Sequence, residues 1–327
     1  MAVFATRRYA RYRPTYLAPA NAGSPPTTAV VAVIPAYNEA RLIGSVVLKA
    51  KREFDAMIVV DDGSTDDTAL IAQAAGAVLV QHSTNKGKGV AINTGITAAL
   101  RQFNPAVLVL LDGDGQHRPE EASAVIAPIL AGEADIVIGS RYLAPTSTVP
   151  HHRIWAHRAF NLLTNYTSGT PVTDSQSGFR AFSPAALAAL TFSAHGFAVE
   201  SEMQYLARDH QLRVMEVPIT ILYTDPPKRH AIMHGWHVLN GLLRLIGQYR
   251  PLLFFGVPGL ITLLAGLLWG LLVVQIYTRT LELAIGYALI SAILVIVGTL
   301  SLFTGIMLHS IRAMFLEHAR HHEADAQ

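Results

Sequence analysis

Val107-Leu108-Val109-Leu110-Leu111-Asp112-Gly113-Asp114-Gly115-Gln116-His117 is the stretch on which the fold turns. Its apolar first half reads as a strand buried on both faces of a parallel sheet. The run stops at two carboxylates one residue apart. That ending places acidic oxygens at the carboxyl edge of the sheet, where open α/β folds bind ligands, and Gly113 and Gly115 let a bulky anion approach the backbone. Hard oxygen donors of this kind suit Mg²⁺ or Mn²⁺ shared with a diphosphate. A lone Asp-x-Asp is also a common acidic turn, so the reading needs support from the rest of the chain. A calcium loop starting at Asp112 would need Gly at its sixth place and Glu at its twelfth. The chain has His117 and Ser123 there.

Working outward to the amino terminus, strands are expected at Val30 to Ile34, Ala56 to Val60 and Ala77 to Gln81, with another at Ile136 to Ile138 beyond the acidic stretch. Helices are expected through about Arg52, from Gly89 to about Phe103, and from Pro119. Ser64 or Thr65 is a candidate cap for the helix after the second strand, with Asp66 and Asp67 in its first turn. Strands alternating with such helices imply right-handed βαβ units and a mainly parallel, Rossmann-like sheet flanked by helices. The first strand runs into Pro35-Ala36-Tyr37-Asn38, not a Gly-x-Gly-x-x-Gly turn, which excludes the dinucleotide fingerprint. Lys86-Gly87-Lys88-Gly89 resembles a phosphate loop but lacks Walker spacing.

Of 327 residues, 51% are hydrophobic, and the mean hydropathy is +0.34, high for an ordinary soluble enzyme. The excess lies after Pro251. Lys+Arg at 25 against Asp+Glu at 23 gives a net charge of +2, so the charge balance carries no nucleic-acid footprint. With no cysteine, disulfides, thiolate nucleophiles and zinc-cysteine sites are excluded. Residues 1–28 carry Arg7, Arg8, Arg11 and Arg13 among tyrosines, with no apolar core for a signal peptide. They read as a disordered basic tail, with contact to anionic lipid as the sharper alternative.

After Arg141 the β/α rhythm breaks. A helix from about Arg153 to Ser168, the segment Thr173 to Arg180, a helix from about Val199 to His210, and strands near Arg213 to Val217 and Ile219 to Tyr223 make up the half where an acceptor would bind. Glu200 and Glu202 are candidate bases or simply solvated first-turn residues. Between Ile232 and Ile246, Ile232, Trp236, Leu239, Leu243 and Ile246 form a helical stripe, read as an interfacial amphipathic helix over 231–250 with a buried helix as the alternative. Leu252 to Ile276 and Leu283 to Leu308 are each about 25 residues long without a charged side chain, enough to span a bilayer. Arg244 and Arg250 precede the first, and Arg312 and Arg320 follow the second. By the positive-inside rule both ends face the cytoplasm. The expected organisation is therefore a catalytic domain over 29–230, the interfacial helix, two membrane helices within 251–309 and a cytoplasmic tail over 310–327. In that tail His318, His321 and His322 read as solvated.

Five segments carry a family resemblance: Ile34-Pro35-Ala36-Tyr37-Asn38-Glu39, Val59 to Asp66, Asn85-Lys86-Gly87-Lys88-Gly89, Asp112 to His117, and Gly139-Ser140-Arg141-Tyr142. Together they resemble the family 2 glycosyltransferases of GT-A fold, in the dolichyl-phosphate mannose synthase and polyprenyl-phosphate glucosyltransferase branch. The resemblance covers roughly Val30 to Tyr223. It implies that Pro35, Tyr37 and Glu39 line the nucleotide pocket, that Asp61 accepts hydrogen bonds from the base, and that Asp112, Gly113 and Asp114 face the sugar diphosphate. Asp114 and Gln116 would hold the metal. Arg141, Arg153 or Arg158, and Arg180 would be cations for the acceptor phosphate. Lys228 and Arg229 would belong to a basic loop closing over the donor.

Cleaving a bond between an anomeric carbon and a nucleoside diphosphate needs charge stabilisation on the leaving group, which a divalent ion and Lys/Arg supply. A lipid phosphate acceptor is already anionic and needs no base, whereas a sugar hydroxyl would need one. The leading expectation is transfer of one hexose from a GDP- or UDP-sugar to polyprenyl or dolichyl phosphate at the cytoplasmic face. The alternatives are a hydroxyl acceptor and a non-catalytic membrane-held binder. The processive signature Gln-x-x-Arg-Trp is missing, since Gln248-Tyr249-Arg250-Pro251 departs from it. A homo-oligomer is compatible with all three.

Overall fold

In a computed structural model, residues 28–143, 151–192, 199–222, 239–240, 243–282 and 284–324 are described, with side chains except at 151–157, 159 and 316–324. The basic tail up to residue 27, Lys228 and Arg229, Tyr223, the side chains of Arg153 and the three tail histidines, and residues 231–238 and 241–242 of the expected interfacial helix lie outside them. The chain divides into two compact units interleaved in sequence. One comprises residues up to 150, 176–195 and 209–226; the other comprises 151–175, 196–208 and 227–327.

The first unit is built on a seven-stranded sheet: β1 (Val30–Ala36), β2 (Ala56–Asp61), β3 (Val78–Gln81), β4 (Val107–Leu110), β5 (Ile136–Ser140), β6 (Arg180–Phe182) and β7 (Val214–Pro218). The spatial order is β3-β2-β1-β4-β6-β5-β7. β1 pairs in parallel with β2 and with β4, so the strand order reverses between β1 and β4, the place where doubly wound sheets bind ligands. Val31 to Ile34, Ile58 to Val60 and Val107 to Leu110 are all buried, which accounts for their continuous rather than alternating apolar pattern. Burying each such side chain contributes about 1.5–3 kcal/mol. Helices α1 (Ile43–Ala50), α2 (Thr68–Ala74), α3 (Lys88–Gln102) and α4 (Ala122–Leu130) connect the strands. α3 lies close on the sheet because Gly95 leaves no side chain there. A methyl group at that position would overlap Val33 and come 3.1 Å from Val60.

Several expectations are corrected. Ser64 does not cap α2; its hydroxyl accepts from the Asn38 amide at 2.9 Å, and Asp66 takes the Thr68 amide at 3.1 Å. The segment from Pro119 begins as one 3₁₀ turn, Pro119–Glu121, before α4. Ile219 to Leu222 is not a strand: the ladder stops at Pro218, and the Ile219 and Leu222 amides bond singly to the carbonyls of Ser140 and Gln116. β6 has no counterpart among the expected strands. It runs antiparallel to both β4 and β5 and fills the gap between them.

At the outer edge, Asp135 takes three bonds from Arg213: the amide at 2.9 Å, Nε at 2.9 Å and Nη2 at 3.0 Å. The Arg213 hydrogen bond holds the Asp135 carboxyl below its ordinary value. Its folded value is thus below its unfolded value of about 3.9. The stabilisation is present above the unfolded value and is lost as pH falls through the folded one. Asp135→Asn should therefore lower the melting temperature at about pH 6, and the gap to the parent should narrow as pH drops below about 4, read by thermal unfolding at stepped pH.

The second unit holds α5 (His151–Ser168), α7 (Val199–Asp209), a helical stretch over 243–249 and two long apolar helices, Val257–Thr280 and Ile285–Ala324. A short helix, α6 (Pro184–Ala189), belongs to the first unit. The segments Leu252–Thr280 and Ile285–Phe315 are long and apolar enough to cross a membrane, with most of their surface facing outward. They meet through small residues. A methyl on Gly259 or Gly298 would strike the backbone of the opposite helix, and Ser291 and Ser301 donate across to the carbonyls of Gly266 (2.8 Å) and Phe255 (2.9 Å).

Candidate active site

The loops after β1 and β2 are latched together. Asn38, in the left-handed region at φ 54°, donates its amide to Ser64 and accepts the Thr65 amide on its side-chain oxygen at 2.9 Å. The Glu39 amide donates to the Thr68 hydroxyl at 2.8 Å. These bonds leave Tyr37 exposed, with Pro35 and Glu39 half-buried. Asp61, which the resemblance assigns to the base, is fully buried. Its oxygens accept from the Ser64 amide at 3.2 Å and from Gln81 Nε2 at 2.9 Å.

Asp62 points the other way and does something the sequence did not disclose. Its buried carboxylate accepts from the Lys86 amide (2.9 Å) and the Gly87 amide (2.8 Å) and pairs with His82 Nδ1 (2.7 Å), whose other nitrogen meets Thr94 Oγ1 at 3.0 Å. This fixes the Asn85–Gly89 loop. Lys88, at the start of α3, then reaches Asp112, with Nζ 2.6 Å from Oδ1. The resemblance to a phosphate loop is thus resolved as a mount for one lysine.

After β4 the acids stand at the reversal point. Asp112 Oδ2 lies 3.4 Å from His117 Nε2, and His117 packs edge-on against Phe179 at 5.4 Å. Gly178 sits against the Asp112 carboxylate so closely that a methyl there would overlap it. Gly113 lies beside Pro35 and Ala36, where an added methyl would come within 3.4 Å of the Pro35 carbonyl and the Ala36 side chain. Asp114 accepts the Gln116 amide at 3.1 Å across Gly115, which is at φ 70°. Burial opposes the charge of Asp112, but the Lys88 ammonium and the His117 hydrogen bond outweigh it and hold the group well below the usual carboxylate range. Burial and the neighbouring Asp112 charge push Asp114 upward.

No group of three or more His, Cys, Asp or Glu side chains with metal-site geometry occurs among the described residues. The Asp114 carboxylate and the Gln116 side-chain amide carry oxygen donors of the type that Mg²⁺ or Mn²⁺ takes. A divalent cation would relieve the electrostatic cost that Asp112 imposes on Asp114.

Arg141, half-buried after β5, donates to the Gln176 carbonyl at 3.4 Å. Arg180 lies on β6 with 1% of its surface exposed and donates Nε to the Ser177 carbonyl at 2.8 Å. That burial fits a group shaping the Asp112 wall better than one touching an incoming phosphate. Arg158 is exposed on α5, in the second unit. Glu200 and Glu202 are not solvated, being 3% and 0% exposed, and Glu202 accepts from the Tyr249 hydroxyl at 3.4 Å.

A mostly parallel α/β sheet with paired carboxylates and a lysine at its reversal point, in a chain that also carries two helices long and apolar enough to cross a membrane, is the arrangement of a GT-A fold. Residues 31–191 match the family model described as Glycosyl transferase family 2, and the chain belongs to that family, in its polyprenyl-phosphate glycosyltransferase branch. It is 34% identical over 234 residues to the polyprenol monophosphomannose synthase of Mycolicibacterium smegmatis, covering 67% of this chain and 86% of that protein. It is 32% identical over 231 residues to the UDP-N-acetylglucosamine–dolichyl-phosphate N-acetylglucosaminyltransferase of Methanococcus voltae, covering 64% and 90%. The fold is shared with glucosyl-3-phosphoglycerate synthase from Mycobacterium tuberculosis, solved with Mn²⁺, UDP and glucosyl-3-phosphoglycerate, at a TM-score of 0.55 and 24% identity over 67% of this chain and 80% of that one.

Proposed function

We propose that this protein transfers one hexose from a nucleoside-diphosphate sugar to a polyprenyl or dolichyl phosphate, with inversion, at the cytoplasmic face of a membrane. The observation that carries the reading is Asp114, set beside a Lys88-neutralised Asp112 at the β1/β4 reversal point. The relatives' names support the acceptor class, and the Mn²⁺ and UDP of the structural neighbour support a divalent cation and a nucleotide donor.

In this reading Asp114 and Gln116 hold the cation, which when bound offsets the charge on the departing diphosphate. Pro35, Tyr37, Glu39 and Asp61 line the nucleotide end, and Gly113 keeps the backbone open to the sugar diphosphate. Lys88 keeps Asp112 ionised and in place. An acceptor phosphate oxygen attacks the anomeric carbon from the side opposite the leaving group. The old carbon–oxygen bond breaks with its electron pair going to the nucleoside diphosphate, and an α-linked donor gives a β-linked lipid. Arg141 with Arg153 or Arg158 would meet the acceptor phosphate, and Lys228 and Arg229 the donor phosphates. Arg180 would support the site from beneath. Residues 29–230 serve as the catalytic part, 231–250 as an interfacial helix and 251–309 as the two crossings, with both termini cytoplasmic.

The hydroxyl-acceptor alternative needs a base, and the burial of Glu200 and Glu202 speaks against either serving. The intact Asp112 and Asp114 speak against a binder that no longer turns over. Purified protein given radiolabelled GDP- or UDP-hexose and polyprenyl phosphate should produce chloroform-soluble label, abolished by EDTA and restored by Mg²⁺ or Mn²⁺. Absence of lipid label with every common donor would overturn the proposal.

A further inference from the structure

Lys88 reaches Asp112 from the first turn of α3, and one buried pair of side chains grips the chain on both sides of that lysine. Ahead of it, Asp62 takes the Lys86 amide on Oδ1 at 2.9 Å and the Gly87 amide on Oδ2 at 2.8 Å. Beyond it along α3, Thr94 Oγ1 lies 3.0 Å from His82 Nε2. His82 Nδ1, 2.7 Å from Asp62 Oδ1, closes the bracket. Apart from each other, these two side chains bond only to residues 86, 87 and 94 among the described residues. A pair that served the sheet in general would have spread its bonds over other strands. This one serves the segment that carries Lys88.

The chemistry of the pair is directional. Amide groups only donate, so the Asp62 oxygens are acceptors; His82 presents Nδ1–H to them and turns Nε2 to the Thr94 hydroxyl. Gly87 sits at φ 94°, a turn that glycine makes without strain, and its amide is committed to Asp62. The bracket also continues to the nucleotide end. Gly63 packs so closely on Thr84 and Asn85 that a methyl on it would overlap their backbone, and the next residue, Ser64, accepts the Asn38 amide at 2.9 Å. The loops after β1 and β2 and the mount of Lys88 thus form one bonded frame.

We propose that His82 and Asp62 are positioning residues for the transfer, holding Lys88 on Asp112 and, through it, the carboxylate that faces the sugar diphosphate. The kinetic consequence rests on the proposed function; the placement of Lys88 does not. In the full-length protein, His82→Ala should lower kcat about 10- to 100-fold and leave the KM for the nucleotide sugar near that of the parent. His82→Asn sets an amide nitrogen where Nδ1 stood and should recover much of that loss. His82→Gln, which reaches for Thr94 instead, should not. In a Lys88→Met background, followed by single turnover with enzyme in excess, adding His82→Ala should change the rate little, because the pair acts through the lysine. Parent-like kcat in His82→Ala, or equal fold-losses in the two backgrounds, would overturn the proposal.

A second measurement reads Lys88 directly. With lysines ¹³C-dimethylated and the Lys88 signal identified by its loss in Lys88→Met, His82→Ala should move that signal toward the shift of exposed Lys49. An unmoved signal would overturn the proposal. If the parent transfers no sugar from any common donor, the proposed function has failed, and the lysine signal still decides whether the pair holds Lys88.

Discussion

Asp114→Ala should abolish measurable transfer, by about three orders of magnitude or more, while leaving the melting temperature near that of the parent. The size follows from charge. A divalent cation facing a leaving diphosphate is worth several kcal/mol of transition-state stabilisation, and each 1.36 kcal/mol is about tenfold in rate. Asp114 is the carboxylate that burial and Asp112 have made costly to ionise alone, so removing it relieves the folded protein of a repulsion. Stability should therefore hold or rise slightly as turnover disappears. The paired measurement is lipid-label production against thermal unfolding. Full activity in the variant would remove the metal assignment.

Gly178→Ala should also be damaging, by about two orders of magnitude, although residue 178 has no side chain to lose. The added methyl would occupy the space of the Asp112 carboxylate, which is held from the other side by Lys88 at 2.6 Å and by His117 at 3.4 Å. Something has to move. Gly178 is two residues before Arg180 on β6, which is paired to Leu110 and Ile138 and cannot retreat without breaking both ladders. The carboxylate gives way instead, and a displacement of about 1 Å at a reacting centre costs about 10²-fold. Steady-state kinetics should show kcat falling by roughly that factor with thermal unfolding little changed. Wild-type kcat would refute the packing argument.

The strands buried on both faces were legible in the sequence, because an unbroken run of Val, Ile and Leu closed by a turn fits little else. Val31 to Ile34 and Val107 to Leu110 are such runs, although β1 continues past the expected stop at Pro35 as far as Ala36, with Pro35 paired to Val60. The two apolar helices were legible on the same ground. β6 was not. It has three residues, one of them a fully buried arginine, and its place in the sheet depends on partners 70 residues away in the case of Leu110 and 42 in the case of Ile138. Asp112 and Asp114 could be read from their position after a strand, but Lys88 beside Asp112 depends on α3 crossing the sheet. Asp61 and Asp62 are adjacent in sequence, yet side chains alternate along an extended chain, so one serves Gln81 and the other the lysine loop. Glu200 and Glu202 looked solvated because composition records charge and not the hydroxyl of Tyr249 waiting for it.

The antiparallel insertion of β6 also sets an order of assembly. β1, β2 and β3 find all their partners among residues 30–110, and β4 finds one of its two there, so this half of the sheet can form before β6 exists. β5 emerges next with no partner to dock on, and stays an open edge until residues 180–182 arrive to bridge it to β4. The Asp112 wall is thus the last part of the first unit to be completed in its centre. A nascent chain halted near residue 175 would carry two acids, a lysine and no backstop behind them.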